Sequence, residues 1–127
     1  MATVKVLLVI PSKVIAHEAP VACDGFVLPG FIEGLLGKRG WVLIADRTLS
    51  PSITVWSVDP KQNAAGNAIS SVQLRRNAKA ERAVEILTGQ KIFVIGDLLI
   101  VGAIPAGPKV GQAAEIPADQ FLEILQL

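Results

Sequence analysis

Asp46, Asp59 and Lys61 stand in the stretch "DRTLSPSITVWSVDPKQN", where an aspartate, a turn and an apolar run lead into Asp-Pro-Lys. Two carboxylates and a cation in this order suit metal-assisted phosphodiester hydrolysis. Mg²⁺ takes hard oxygen ligands, and a nearby cation steers the attacking water or stabilises the negative charge that develops. If the run before Asp59 is a strand, its period of two brings Asp59 and Lys61 to one face. The competing reading is structural, because aspartates flanking strands and a Pro-Lys leaving one are ordinary turn chemistry.

The other chemistry-bearing residues are isolated. His17 is the sole histidine and lies beside Glu18 in a Pro-bounded stretch, with no G-x-S-x-G nucleophile elbow to accompany it. It reads as a solvated loop histidine. Cys23 is the sole cysteine, with no nearby base or CxxC partner, and reads as a small buried hydrophobe. One histidine and one cysteine do not make a structural zinc site within a single chain. "AGPKVGQ" sets Lys109 between Gly107 and Gly111 but lacks the Gly-Lys-Ser/Thr ending of a phosphate-binding loop, so it reads as a turn.

The elements that must position these residues follow from period and punctuation. "VKVLLVI" is continuously apolar and β-branched, as a buried strand is, and Pro11-Ser12 ends it. "VIAHEAPVACDGFVLP" reads as irregular strand and turn, with Asp24-Gly25 as the tight turn. "GFIEGLLG" is a short helical segment on which Phe31, Leu35 and Leu36 share a face. "WVLIAD" and "SITVWSV" are strands joined by the turn residues of "RTLSPS", which predicts a hairpin. A loop is expected over "KQNAAGNAISS", with Asn67 or Ser70 as a helix N-cap.

The clearest helix runs from about Ile69 to Leu87, with Ala80, Ala83, Val84 and Leu87 as its packing face and Gly89 as its stop. Such a helix brings Arg75, Lys79 and Arg82 to one side, at i, i+4 and i+7. There they either touch nucleic-acid phosphates or pair with Glu81 and Glu85 on a solvated surface. "KIFVIGDLLIVGAI" follows as one strand or two joined at Gly96-Asp97, "PAGPKVGQ" as a loop, and "PADQFLEILQL" as a terminal helix. A weak β-loop-helix pseudo-repeat relates residues 4–37 to 91–127.

In this setting the order Asp, turn, apolar strand, acidic-x-Lys resembles the core of the PD-(D/E)XK nucleases. "SPSITVWSVDPKQNAAG" is similar to the NERD, or nuclease-related, version, where glycine follows the triplet within a few residues. The Trp-led strand of "GKRGWVLIAD" and the helix and apolar strand of "QLRRNAKAERAVEILTGQKIFVIGDLLIVGAIPAG" are similar in type to that family's flanks, so the likeness covers Glu33 to Gly107. The resemblance implies Mg²⁺ held by Asp46 and Asp59, Lys61 as the catalytic lysine, Glu33 as an additional acidic residue, and nucleic acid contacted through the helix over 69–87 by Arg75, Lys79 and Arg82. The chain departs from the family in three places. Pro60 sits inside the triplet, a strand-rich stretch precedes Glu33 where the family has its first helix, and "SSVQ" stands for Pro-x-x-Gln with Gln73 the one match.

With 127 residues and one cysteine, the chain fits a single domain that needs no disulfide, in keeping with a reducing compartment. A net charge of +1 gives no general case for nucleic acid. Hydrophobic residues make up 51% and the mean hydropathy is +0.51, more than one small core readily hides, which motivates a homo-oligomer. The apolar runs Val4 to Ile10 and Ile92 to Ile104 are too short to span a bilayer, and the N-terminal stretch lacks a secretory pattern. A cytoplasmic protein with no membrane partner is expected. The expected fold is α/β, a single compact domain with a mixed sheet of about five or six short strands, one long helix and two shorter ones. Two functions stand as alternatives: a Mg²⁺-dependent nuclease-like, nucleic-acid-binding domain, which in a degenerate form binds without cutting, or a non-enzymatic self-assembling structural or protein-interaction module with an apolar subunit interface.

Overall fold

The computed structural model describes residues 2–36, 41–63 and 75–127, without the side chains of residues 41, 42 and 59–63. In chain order the elements are β1 (Thr3–Ile10), β2 (Lys13–Pro20), α1 (Pro29–Leu36), β3 (Trp41–Asp46), β4 (Ile53–Asn63), α2 (Ala78–Thr88), β5 (Leu98–Ala103), β6 (Ala113–Ala114) and α3 (Ala118–Leu125). The strands form one six-stranded sheet in the order β2-β1-β5-β4-β3, with β6 added to the far end of β5. The α/β class holds.

Each described pairing is antiparallel, so the sheet is not the mixed one expected. The reason lies between β4 and β5. Helix α2 leads out from the sheet and residues 90–96 lead back alongside its start: Asn77 N–H donates to the Val94 carbonyl at 2.8 Å and Gly96 N–H to the Arg75 carbonyl at 2.7 Å. The chain therefore re-enters at the end where β4 left, and Ser57 pairs with Leu98 while Ile53 pairs with Gly102. An out-and-back excursion of this kind gives antiparallel neighbours, where a single crossover helix would give parallel ones.

Alternation along the central strands feeds two cores. Leu7 and Val9, Ile53 and Val55, and Leu98 and Ile100 pack beneath α2 and α3 with Ala80, Ala83, Val84 and Ile124. Val4, Val6 and Leu8, with Leu99 and Val101, pack beneath α1 through Ile32 and Leu36. β5 and the Val6–Ile10 part of β1, apolar throughout, serve both faces. On α1 the buried row is Ile32 and Leu36, at i, i+4, with Phe31 and Leu35 flanking it half-buried.

Three expectations change locally. "KVIAHEAP" is a regular strand, β2, which pairs with β1 along its full length from Ile10–Lys13 to Thr3–Pro20. Helix α2 starts at Ala78 and ends at Thr88, so its eleven residues are not the long helix from Ile69. Residues 64–74, including Asn67 and Ser70, lie outside the described residues, whereas Arg76 forms a β-bridge with Ile95 and Asn77 is the N-cap. The packing face and the Gly89 stop hold: Gly89 adopts φ 75° and its N–H donates to the Glu85 carbonyl. Finally, residues 91–94 are not strand, because Gly96 at φ 81° turns the chain before β5 begins. Among the described residues no helix is long and apolar enough to cross a membrane.

Candidate functional site

The β3–β4 hairpin forms as its pattern predicts, and its turn shows what Asp46 does locally. Asp46 Oδ1 accepts the Thr48 N–H at 2.8 Å and the Thr48 hydroxyl at 2.6 Å, and Ser50 Oγ accepts the Ser52 N–H at 3.2 Å. Short polar side chains thus replace ladder partners through the turn. Asp46 remains exposed, on the α2 side of the sheet with Ile44 and Ser57.

The register sets the spacing of the catalytic candidates. Asp46 pairs with Val55, Ile44 with Ser57 and Leu43 with Val58, after which the ladder shifts and Trp41 pairs with Asn63. Asp59, Pro60 and Lys61 fall in that irregular stretch, where a residue without an N–H costs no ladder bond. The backbone of Asp59 lies four positions beyond the partner of Asp46, about 13 Å along the strand at about 3.3 Å per residue. The side chains of Asp59 and Lys61 lie outside the described residues. Glu33 is exposed on α1, which packs on the opposite face of the sheet from Asp46. Among the described residues no three acidic, histidine or cysteine side chains gather in a metal-holding group.

The basic trio does not form one helical face. Arg75 precedes the helix and is exposed. Lys79 Nζ donates to the Leu127 carbonyl at 2.5 Å, and Arg82 pairs with Glu85 at 2.6 Å. His17 is a half-buried strand residue standing edge-on to the Phe31 ring at 6.2 Å, not a solvated loop histidine, and Cys23 is exposed.

An apolar groove that no sequence motif marks lies beside the hairpin. It has a volume of about 300 Å³ and runs between β3 and residues 92–95, over a floor that includes Val55 and Leu98. Three large apolar side chains at its rim face solvent: Ile44 at 43% exposure, Phe93 at 66% and Ile95 at 36%. Among the described residues, helices α2 and α3 cover β1 and β5 and do not extend over this part of the sheet. The sequence signal was the apolar run "IFVI", in which Val94 points inward and its neighbours Phe93 and Ile95 point out. An alternating segment with apolar residues on both sides exposes one of them.

The groove wall is braced. Arg76 lies over the Phe93 ring at 5.2 Å and makes a two-pronged ion pair with Glu81, at 2.9 and 3.1 Å. Glu81 also accepts the Val94 N–H at 3.2 Å. The hydrogen bond from Arg76 holds the Glu81 carboxyl below its ordinary value; burial opposes the shift, and the Val94 N–H adds to it. Behind this pair, buried Asn77 donates to the carbonyls of Val9 at 2.8 Å and Gly96 at 2.9 Å, while its oxygen accepts the Ala80 N–H at 3.0 Å. One amide therefore ties β1, the groove wall and the start of α2 together.

Comparison with protein-family models, curated proteins and solved structures finds no match.

Proposed function

We propose that this domain is a non-enzymatic self-assembly module whose copies join through the β3 edge and the apolar groove beside it. The convergence of exposed Ile44, Phe93 and Ile95 on one groove next to an edge strand carries this reading. A second copy is the occupant that fits. An antiparallel β3–β3 contact is self-complementary about a two-fold axis and gives outward-facing backbone groups partners without any new sequence.

The two edges of the sheet differ in the expected way. The β2 edge carries Lys13, Glu18 and Pro20, the charges and proline that guard an edge against pairing, whereas β3 has its charge, Asp46, at the turn end and the apolar Leu43, Ile44 and Ala45 before it. The three rim side chains offer on the order of 300 Å² of apolar surface per copy, a patch size that marks contacts. Paired edges and their flanks must bring the total to about 1,000 Å² for a specific interface. Sedimentation of the wild type and of Ile44→Lys over a concentration series tests the reading. Twice the chain mass for the wild type and a monomer for Ile44→Lys are expected; a wild-type monomer throughout refutes it.

A second reading draws on the antiparallel β3–β4 pairing, the arrangement that the NERD-like pattern requires. In it Asp46, Asp59 and Lys61 serve Mg²⁺-dependent phosphodiester hydrolysis, with Arg75, Lys79 and Arg82 contacting phosphates in a salt-dependent manner. Calorimetric titration of Mg²⁺ or Mn²⁺ into wild type and Asp59→Ala, followed by plasmid cleavage on the same samples, decides it. Saturable binding lost in Asp59→Ala supports this second reading, and no binding in either protein removes it.

A further inference from the structure

We propose that the cleft beneath Arg47 binds a small monocarboxylate with a compact apolar body. Two adjoining cavities at the turn end of the sheet share Arg47, Thr54 and Gly111. One is a narrow space between α1 and the sheet, bounded by Phe26, Ile32 and Trp56. The other, about 290 Å³, opens between Pro51, Ile53 and Val110. Their position is separate from the groove between β3 and residues 92–95, so the inference stands independently of self-assembly.

Arg47 is held in place without being neutralised. Its guanidinium lies 5.7 Å from the centre of the Phe26 ring, and among the described residues the ion pairs are made by other arginines, Arg76 and Arg82. Thr54, only 5% exposed, lines both cavities, and Ser50 lines the larger one; the two hydroxyl side chains interrupt a lining that is otherwise largely apolar. Gly111 brings the backbone close to both Arg47 and Phe26. A Cβ at this position would sit 3.6 Å from Arg47 Nη1 and 3.9 Å from Phe26 Cε1, and the backbone there, at φ +86°, is one that few other residues adopt.

These features select the ligand. A guanidinium offers two parallel N–H donors that match a carboxylate in bidentate fashion, and a ring beneath it orients the fork without competing for those donors. A single cation with two hydroxyl side chains in a largely apolar lining suits a monoanion, since a phosphate would bring more charge and more acceptor oxygens than this lining meets. The volume lies at the small end of ligand pockets, which fits an aromatic or branched acid of benzoate size.

The test is a titration of the intact chain with sodium benzoate into the millimolar range, followed by amide nitrogen–proton correlation spectra at constant ionic strength. Saturable shifts at Thr54, Gly111 and Ala113 are expected, with affinity lowered at least about tenfold in Arg47→Gln, the loss of a charge-assisted pair. Thr54→Val, which keeps the shape of the wall, is expected to weaken binding less. Benzyl alcohol, the neutral counterpart, should leave these amides in place. Equal shifts with benzyl alcohol, shifts that do not saturate, or an Arg47→Gln protein that binds as the wild type does would each overturn the proposal. Because Arg47 is exposed, its replacement leaves the fold intact, and the dispersion of the same spectra verifies that.

Discussion

Asn77 is the residue whose loss should reach furthest. Replacing it with alanine removes the N-cap of α2, which costs about 1 kcal/mol. It also removes one hydrogen bond each from the buried carbonyls of Val9 and Gly96, at about 1 kcal/mol each, the typical net worth of such a bond. The expected loss is therefore about 3 kcal/mol, a large part of the stability of a domain this size, and a fall in Tm of roughly 10 °C. Asn77→Asp separates the two contributions. An aspartate still accepts the Ala80 N–H but turns a carboxylate toward two carbonyl oxygens, which raises its folded pKa above the unfolded value near 3.9. For a carboxyl raised on folding, the penalty is full at neutral pH and fades as pH falls through the folded pKa. Asn77→Asp should therefore be less stable than Asn77→Ala at pH 7 and gain on it in acid. Urea unfolding at neutral and acid pH measures both. A cost for Asn77→Ala below about 1 kcal/mol, or an Asn77→Asp cost independent of pH, would refute the three-way tie.

Glu81 gives the opposite pH sign. Its carboxyl is lowered on folding by Arg76, so its contribution is present above the unfolded carboxylate range and is lost as pH falls through the lowered folded value. Comparing acid unfolding of Glu81→Gln with wild type should show that part of the pH dependence missing. At Gly102 a Cβ would collide with the Ala114 carbonyl, so Gly102→Ala should cost about 2 kcal/mol and expose the β6 amides to faster hydrogen exchange. An alanine tolerated without loss would mean that β5 and β6 are not held together at this point.

The parts of the fold that local chemistry dictates were legible. Continuous β-branched runs gave β1, turn residues gave the β3–β4 hairpin, and Ala80, Ala83 and Val84 with Gly89 gave the body and end of α2. The start of α2 was not, because Asn77 stands inside a pattern that is helical by composition on both sides. Its choice as the cap depends on carbonyls of Val9 and Gly96 that are remote in sequence. The antiparallel return of β5 was hidden for the same reason: only the hydrogen bonds of Asn77 and Gly96 to the opposite limb show that residues 90–96 retrace the path of α2. Chemistry-bearing types drew attention to Asp46, whose carboxylate closes its own turn, while the groove beside it is built from Phe93 and Ile95. Apolar residues advertise no chemistry, and only their exposure in the fold makes these two notable.

Amide hydrogen exchange along β3 over a dilution series tests the assembly account most directly. If copies pair through this edge, the outward-facing amides of residues 42–46 are protected at high concentration and lose protection on dilution or in Ile44→Lys. Exchange at these amides that is fast at every concentration, or concentration-dependent protection that maps to β2 instead, would contradict it.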